Sequence, residues 1–267
     1  MTYRTFSGKA LKIILLSAFL FVIGTTWARA QSQESPTRVT VRVISHDAKI
    51  IGDGVGGVRI VITRAADGQV LADGLQTGST GNTETIMIRP RERGQTVYDT
   101  PGAASFRAEL DLSEPTLVDI TAHGPLGDPR HLVKAHKRML LVPGFHVEGE
   151  GIILELNGFT VQVLSPRAEQ SERAETEIEI VASVTMLCGC PTEPGGLWDA
   201  ERFDILGRMY QDNVLLSETP LAFTGEQNMY SARVRGVPAG RYRVEVMAAD
   251  AERGNFGFDS VRFSVGE

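Results

Sequence analysis

From Arg38 onward the chain is written in short runs of β-branched residues, separated by turns of glycine, aspartate and proline. Val39, Val41 and Val43 alternate with Thr40, Arg42 and Ile44, which reads as a strand with one strongly apolar face. Further strands are expected over 58–63, 70–72, 85–88, 104–110, 117–122, 131–142 and 151–156. Nothing in this half carries a capped helical period. Repeated short strands with Gly/Pro punctuation build a sandwich or a barrel. The glycine-rich run 52–57 lacks a following helix and a Walker lysine, so it reads as a turn between strands and not as a phosphate cradle.

A second unit begins near Gly158, with a strand over 159–164 and a charged connector over 165–175. The longest strand candidate is 176–188. Its even positions Ile178, Ile180, Ala182, Val184, Met186 and Cys188 are apolar, against Glu177, Glu179, Ser183 and Thr185. Six more short strands follow, over 203–210, 214–216, 221–224, 229–234, 241–248 and 258–265. The expected fold is all-β: two consecutive β-sandwiches, 38–157 and 158–267, behind a polar leader 31–37.

Residues 1–30 read as a secretory signal. Arg4, Lys9 and Lys12 precede an apolar run over 13–23, and Ala28-Arg29-Ala30 offers a small-x-small cleavage site. The run is too short for a membrane span, and no later segment is apolar enough for one. Cleavage removes four basic residues and no acidic one, moving the net charge from −6 to −10. So acidic a chain is a poor partner for nucleic acid. The expected location is the periplasm or the exterior.

Val39-Thr40-Val41-Arg42-Val43, the glycine-rich turn, and Gly57-Val58-Arg59-Ile60-Val61-Ile62 before Asp67-Gly68 resemble transthyretin-like, carboxypeptidase regulatory-like modules. That likeness covers about a third of the chain and implies a non-catalytic β-sandwich. Val237-Pro238-Ala239-Gly240-Arg241-Tyr242-Arg243-Val244-Glu245-Val246 resembles the turn-then-strand ending of bacterial immunoglobulin-like domains. It implies a corner role for Tyr242 and is silent on function.

The chemical accent lies at Met186-Leu187-Cys188-Gly189-Cys190-Pro191, which holds both cysteines of the chain. On a strand, Met186, Cys188 and Cys190 share a face. Two thiolates and a thioether suit Cu(I), with any of His46, His123, His131, His136 or His146 as an added ligand. The same residues also suit an intrachain disulfide, with Gly189 bending the chain to bring the Cα atoms within reach. A third reading makes Met186 and Cys188 simple core residues. Trp198 follows among turn residues, either as an exposed interface platform or as a lid folded onto the sandwich end.

The usual catalytic signatures are missing: there is no G-x-S-x-G, no H-E-x-x-H and no C-x-x-C. Asp53, Asp67, Asp73 and Asp250 sit in turn-like runs and read as turn formers. The function expected is a secreted, non-catalytic binding or assembly protein, a subunit of a cell-envelope complex with a protein partner. The contender is a copper binding or delivery protein using Met186, Cys188 and Cys190. An enzyme with a site between the domains is a third reading.

Overall fold

A computed structural model describes residues 36–167, 171–172 and 177–266. The proposed signal 1–30 and most of the leader lie outside the described residues. The fold is all-β.

The first seven strands are β1 (Thr37–Ser45), β2 (Val58–Arg64), β3 (Val70–Gln76), β4 (Phe106–Leu110), β5 (Thr116–Gly124), β6 (Val133–Leu141) and β7 (Val147–Leu156). They form two facing sheets, ordered β4-β1-β7 and β3-β2-β5-β6. This is the sandwich that the transthyretin-like resemblance implies. Val39, Val41 and Val43 face Val58, Ile60, Ile62, Val118 and Ile120 in one core, as their alternation predicts.

The next nine strands are β8 (Phe159–Ser165), β9 (Ser171–Glu172), β10 (Glu177–Met186), β11 (Asp204–Gln211), β12 (Val214–Pro220), β13 (Ala222–Phe223), β14 (Met229–Arg235), β15 (Gly240–Asp250) and β16 (Asn255–Val265). Their sheets are ordered β13-β14-β10-β8 and β12-β11-β15-β16-β9. That is an immunoglobulin-like sandwich, with the short β9 running parallel to the last strand. The even positions of β10 are all buried. Tyr242 Oη donates to Pro238 O at 2.7 Å, and its ring stacks on Phe263. This is the corner that the immunoglobulin-like resemblance implied, and it anchors the start of β15.

Two local expectations are corrected. Residues 85–88 are not a strand. Glu84–Ile88 is a single π-helical turn, begun by Asn82 Oδ1 accepting from Thr85 N. Four residues with no neighbouring strand fall to this local bond instead. Asp73 lies inside β3, where its carboxylate pairs with Arg59 across the strands. Asp67 does shape its turn, accepting from Gln69 N at 3.0 Å.

Strand β1 is buried on both faces, which its alternation did not announce. Ile44 packs with Ile50, Ile86, Val97, Tyr98 and Ala104 in a second, smaller core. The segment between β3 and β4 thus covers the outer face of β1. Beside its own turn bonds, Glu150 and Arg42 tie this segment to β7 and β1. The register of β1 with β7 jumps between Val39 and Val41, leaving Gly149, Glu150 and Gly151 as a bulge. The Glu150 carboxylate accepts from the N–H groups of Val97, Tyr98 and Asp99. Arg42, with only 1% of its side chain exposed, donates to the carbonyls of Gly149 and Glu150 and to Asp99 Oδ1.

Candidate functional site

The strand-end cysteines lie just past β10. Gly189 takes φ +74°, and its N–H donates to Met186 O at 2.8 Å. Met186 N in turn donates to Cys190 O at 3.1 Å. This tight turn brings the two Cα atoms to 5.3 Å, within bridging range, and the sulfurs are joined. A flat strand holds such a pair near the limit, so the glycine makes the bridge geometrically accessible. Closing so short a loop contributes only about 1.5 kcal/mol of chain entropy. The bridge therefore acts mainly by holding the local shape.

Met186, Cys188 and Cys190 are all buried. With the sulfurs bonded to each other, neither is a thiolate, so soft-metal binding requires prior reduction. Among the described residues, no group of three His, Cys, Asp or Glu side chains is placed to hold a metal. Four histidine rings are spent elsewhere: His46 on Glu155, His131 on Val161 O, His136 on Asp119 and His146 on Arg38 N.

Gly189 also lies against the first sandwich. A Cβ added there would meet Val55 Cγ1 at 2.9 Å. Gly189→Ala should therefore destabilise the protein by about 2 kcal/mol, combining left-handed backbone strain with this contact. Gly68 has φ +75° and open space around it. Gly68→Ala should show the backbone cost alone, and urea midpoints of the two variants separate the terms.

The loop after the bridge is built by its own bonds. Thr192 Oγ1 donates to Val184 O at 2.7 Å. Asp199 accepts from Gly195 N and Glu201 N, which hold its carboxyl below the usual range. Trp198 ends up inside, 7% exposed, with Nε1 donating to Asp47 O at 3.2 Å. It is a lid, and Asp47 belongs to the first sandwich. The ring thus joins the halves of this chain and is not a platform open to solvent. A turn-rich sequence context could not reveal this, because the covering surface lies 151 residues away.

A second polar clasp crosses the same junction, unannounced by any motif. Arg130 donates to both Asp259 oxygens at 3.0 and 3.2 Å, and to Asp128. Asp259 also accepts from Val163 N at 2.8 Å. His131 Nε2 lies 2.6 Å from Val161 O, and its Nδ1 lies 3.4 Å from Asp128 Oδ2. The hydrogen bonds from Arg130 pull the Asp128 carboxyl down from 3.8 to about 2. A carboxyl depressed on folding stabilises the protein above its unfolded pKa and loses that contribution as pH falls through its folded value. Asp128→Asn should lower the melting temperature at neutral pH. The gap from the parent should close between about pH 4 and pH 2. A gap that stays constant across that range would contradict the assignment.

No protein-family model matches the chain, and no curated protein matches it in sequence. Solved structures do show similarity. Fibronectin(III)-like modules of Clostridium thermocellum CbhA share 11% identity, with 88% of this chain and 92% of that one covered and a TM-score of 0.27. A DUF3823 family protein from Bacteroides uniformis shares 13% identity, covering 86% and 100%, with a TM-score of 0.28. An engineered protein shares 12% identity over 46% of this chain, with a TM-score of 0.32, and the match spans only 25% of its own length. These likenesses are distant, and the strand order defines the fold without them.

Proposed function

We propose that this chain is a secreted, non-catalytic binding or assembly protein, a subunit of a cell-envelope complex. It would be built from two β-sandwich domains, 38–157 and 158–267, after loss of residues 1–30. The observation that supports it is how the charged and aromatic groups at the domain junction are spent. Arg130 pairs with both Asp128 and Asp259, Arg253 pairs with Asp47 at 2.6 Å, and Trp198 donates to Asp47 O. Groups occupied in this way serve as braces, and bracing two sandwiches fixes the relative placement of their outer faces. A rigid frame of that kind lowers the entropy lost on docking a partner.

The test is fractionation of cells expressing the tagged chain, followed by native purification from the envelope fraction. The reading expects a chain beginning at Gln31, released with the envelope and carrying a partner in fixed stoichiometry. Recovery from the cytosol, or elution from the envelope fraction without any partner, would overturn it.

A further inference from the structure

The turn that carries the Cys188–Cys190 bridge is pressed against the first sandwich. Its Gly189 backbone lies so close to Val55 that a Cβ would meet Val55 Cγ1 at 2.9 Å. Val55 O accepts from Gly127 N at 2.8 Å, and Gly57 O accepts from Leu126 N at 3.1 Å, so the turn over 52–57 is tied to the loop over 124–127. Gly127 directly precedes Asp128, whose carboxylate pairs with Arg130. Arg130 then returns to the second sandwich at Asp259. The bridge and the Arg130 clasp are therefore two ends of one path of contacts through the first sandwich. The bridge itself is enclosed, with Cys188 4% and Cys190 6% exposed.

We propose that this arrangement is a redox-gated junction. Docking of the two sandwiches shields the bridge from reductants, and the intact bridge in turn holds the docking surface in shape. The reacting partner is a dithiol, a molecule or protein with two neighbouring thiols. One of its thiolates attacks a bridge sulfur, forming a mixed disulfide as the Cys188–Cys190 bond breaks. The displaced cysteine sulfur takes up a proton. The second thiolate of the reductant then displaces the remaining cysteine, which is protonated likewise. Two electrons and two protons have moved to the protein, and the reductant leaves as a disulfide. Each attack needs a thiolate to reach a sulfur, so access sets the rate. Sulfurs this enclosed are reached when the junction opens.

Reduction acts back on the junction through packing. Two unbonded sulfurs stand further apart than two bonded ones, and a close-packed interior has no slack to take them. The turn has to give, and Gly189 sits where that movement meets Val55. Linkage makes the two effects reciprocal: a docked junction favours the bridged form, and the bridged form favours docking. The loop-closure contribution of so short a bridge is equivalent to about a tenfold shift in a local equilibrium. A shift of that size changes how often the junction opens while both sandwiches stay folded. The proposal concerns this chain alone and does not rest on any envelope partner.

Reduction of the native full chain by dithiothreitol, followed by alkylation and mass spectrometry, tests the shielding. Arg130→Gln removes the clasp on Asp259 without touching the bridge turn. It should speed reduction about tenfold, since the buried Asp259 loses its cation. Arg253→Gln removes the pair with Asp47, itself half exposed, and should give about a two- to fivefold increase. Tyr242→Phe loosens the second sandwich at the far end of β15 and should leave the rate unchanged. Equal rates in the parent and Arg130→Gln overturn the proposal. So does an acceleration by Tyr242→Phe that matches Arg130→Gln, which would trace access to general unfolding. Amide exchange tests the return effect. In the reduced parent, and in a Cys188→Ser/Cys190→Ser variant that needs no reductant, the Gly127 amide should exchange about tenfold faster than in the oxidised parent. Ile60 and Ile120 should keep their protection. Loss of protection confined to residues 186–191 overturns the reciprocal coupling, and with it the proposal.

Discussion

Arg42→Met should cost the protein about 3 kcal/mol, because a buried charged donor to two carbonyls and a carboxylate is lost. The Arg42 side chain is 1% exposed, whereas its partner Asp99 is 39% exposed. Asp99→Asn keeps an oxygen that can accept from the Arg42 guanidinium and leaves its two carbonyl bonds in place, so it should cost less, about 1–2 kcal/mol. The damage should also be regional. The bulge that Arg42 holds carries the Glu150 carboxylate, and that carboxylate orders the backbone of Val97, Tyr98 and Asp99. Amide exchange at those three residues should accelerate well before exchange in β2 and β5. Equal loss of stability in the two variants, or unchanged exchange at 97–99, would refute this account.

Trp198→Ala should be the other severe substitution, costing about 3–5 kcal/mol for a buried aromatic truncated to a methyl. Trp198→Phe keeps most of the packing and loses the bond to Asp47 O, so about 1 kcal/mol is expected. The shape of the transition carries further information. Trp198 packs in one continuous core with residues of both sandwiches. Removing it should turn a single denaturant transition into two, with the sandwiches unfolding separately. A variant that unfolds in one step with the parent midpoint would show that the ring is not a brace. Reduction of the Cys188–Cys190 bridge should have a smaller effect, since its loop is short and its chain-entropy term only about 1.5 kcal/mol.

How much of this was legible in the sequence differs by element. Strand β10 was read almost residue by residue, because one of its faces is buried and the other is not. Strand β1 was half read. Its odd positions alternate correctly, yet Arg42 and Ile44 are buried on the opposite face by a segment that follows β3. A buried arginine has no sequence signature, since its partners are backbone carbonyls supplied by a bulge 107 residues away. The corner role of Tyr242 was implied by the resemblance of 237–246 to bacterial immunoglobulin-like domains, and the structure supplies its partner, Pro238 O. Residues 85–88 have strand composition yet form a helical turn, because β-branched composition alone cannot say whether a neighbouring strand exists to pair with.

At the cysteines, the sequence alone determined that both side chains sit at a strand end, and that Gly189 is the residue able to bend between them. Local spacing is sufficient for that. The tertiary structure decided that the pair is bridged and enclosed, that Trp198 closes over the junction, and that Arg130 reaches Asp259. Those contacts join residues far apart in the chain, and only the packing of one sandwich against the other brings them within hydrogen-bond range. Periodicity reports which side of a strand faces a core, and it carries no information about what covers the other side.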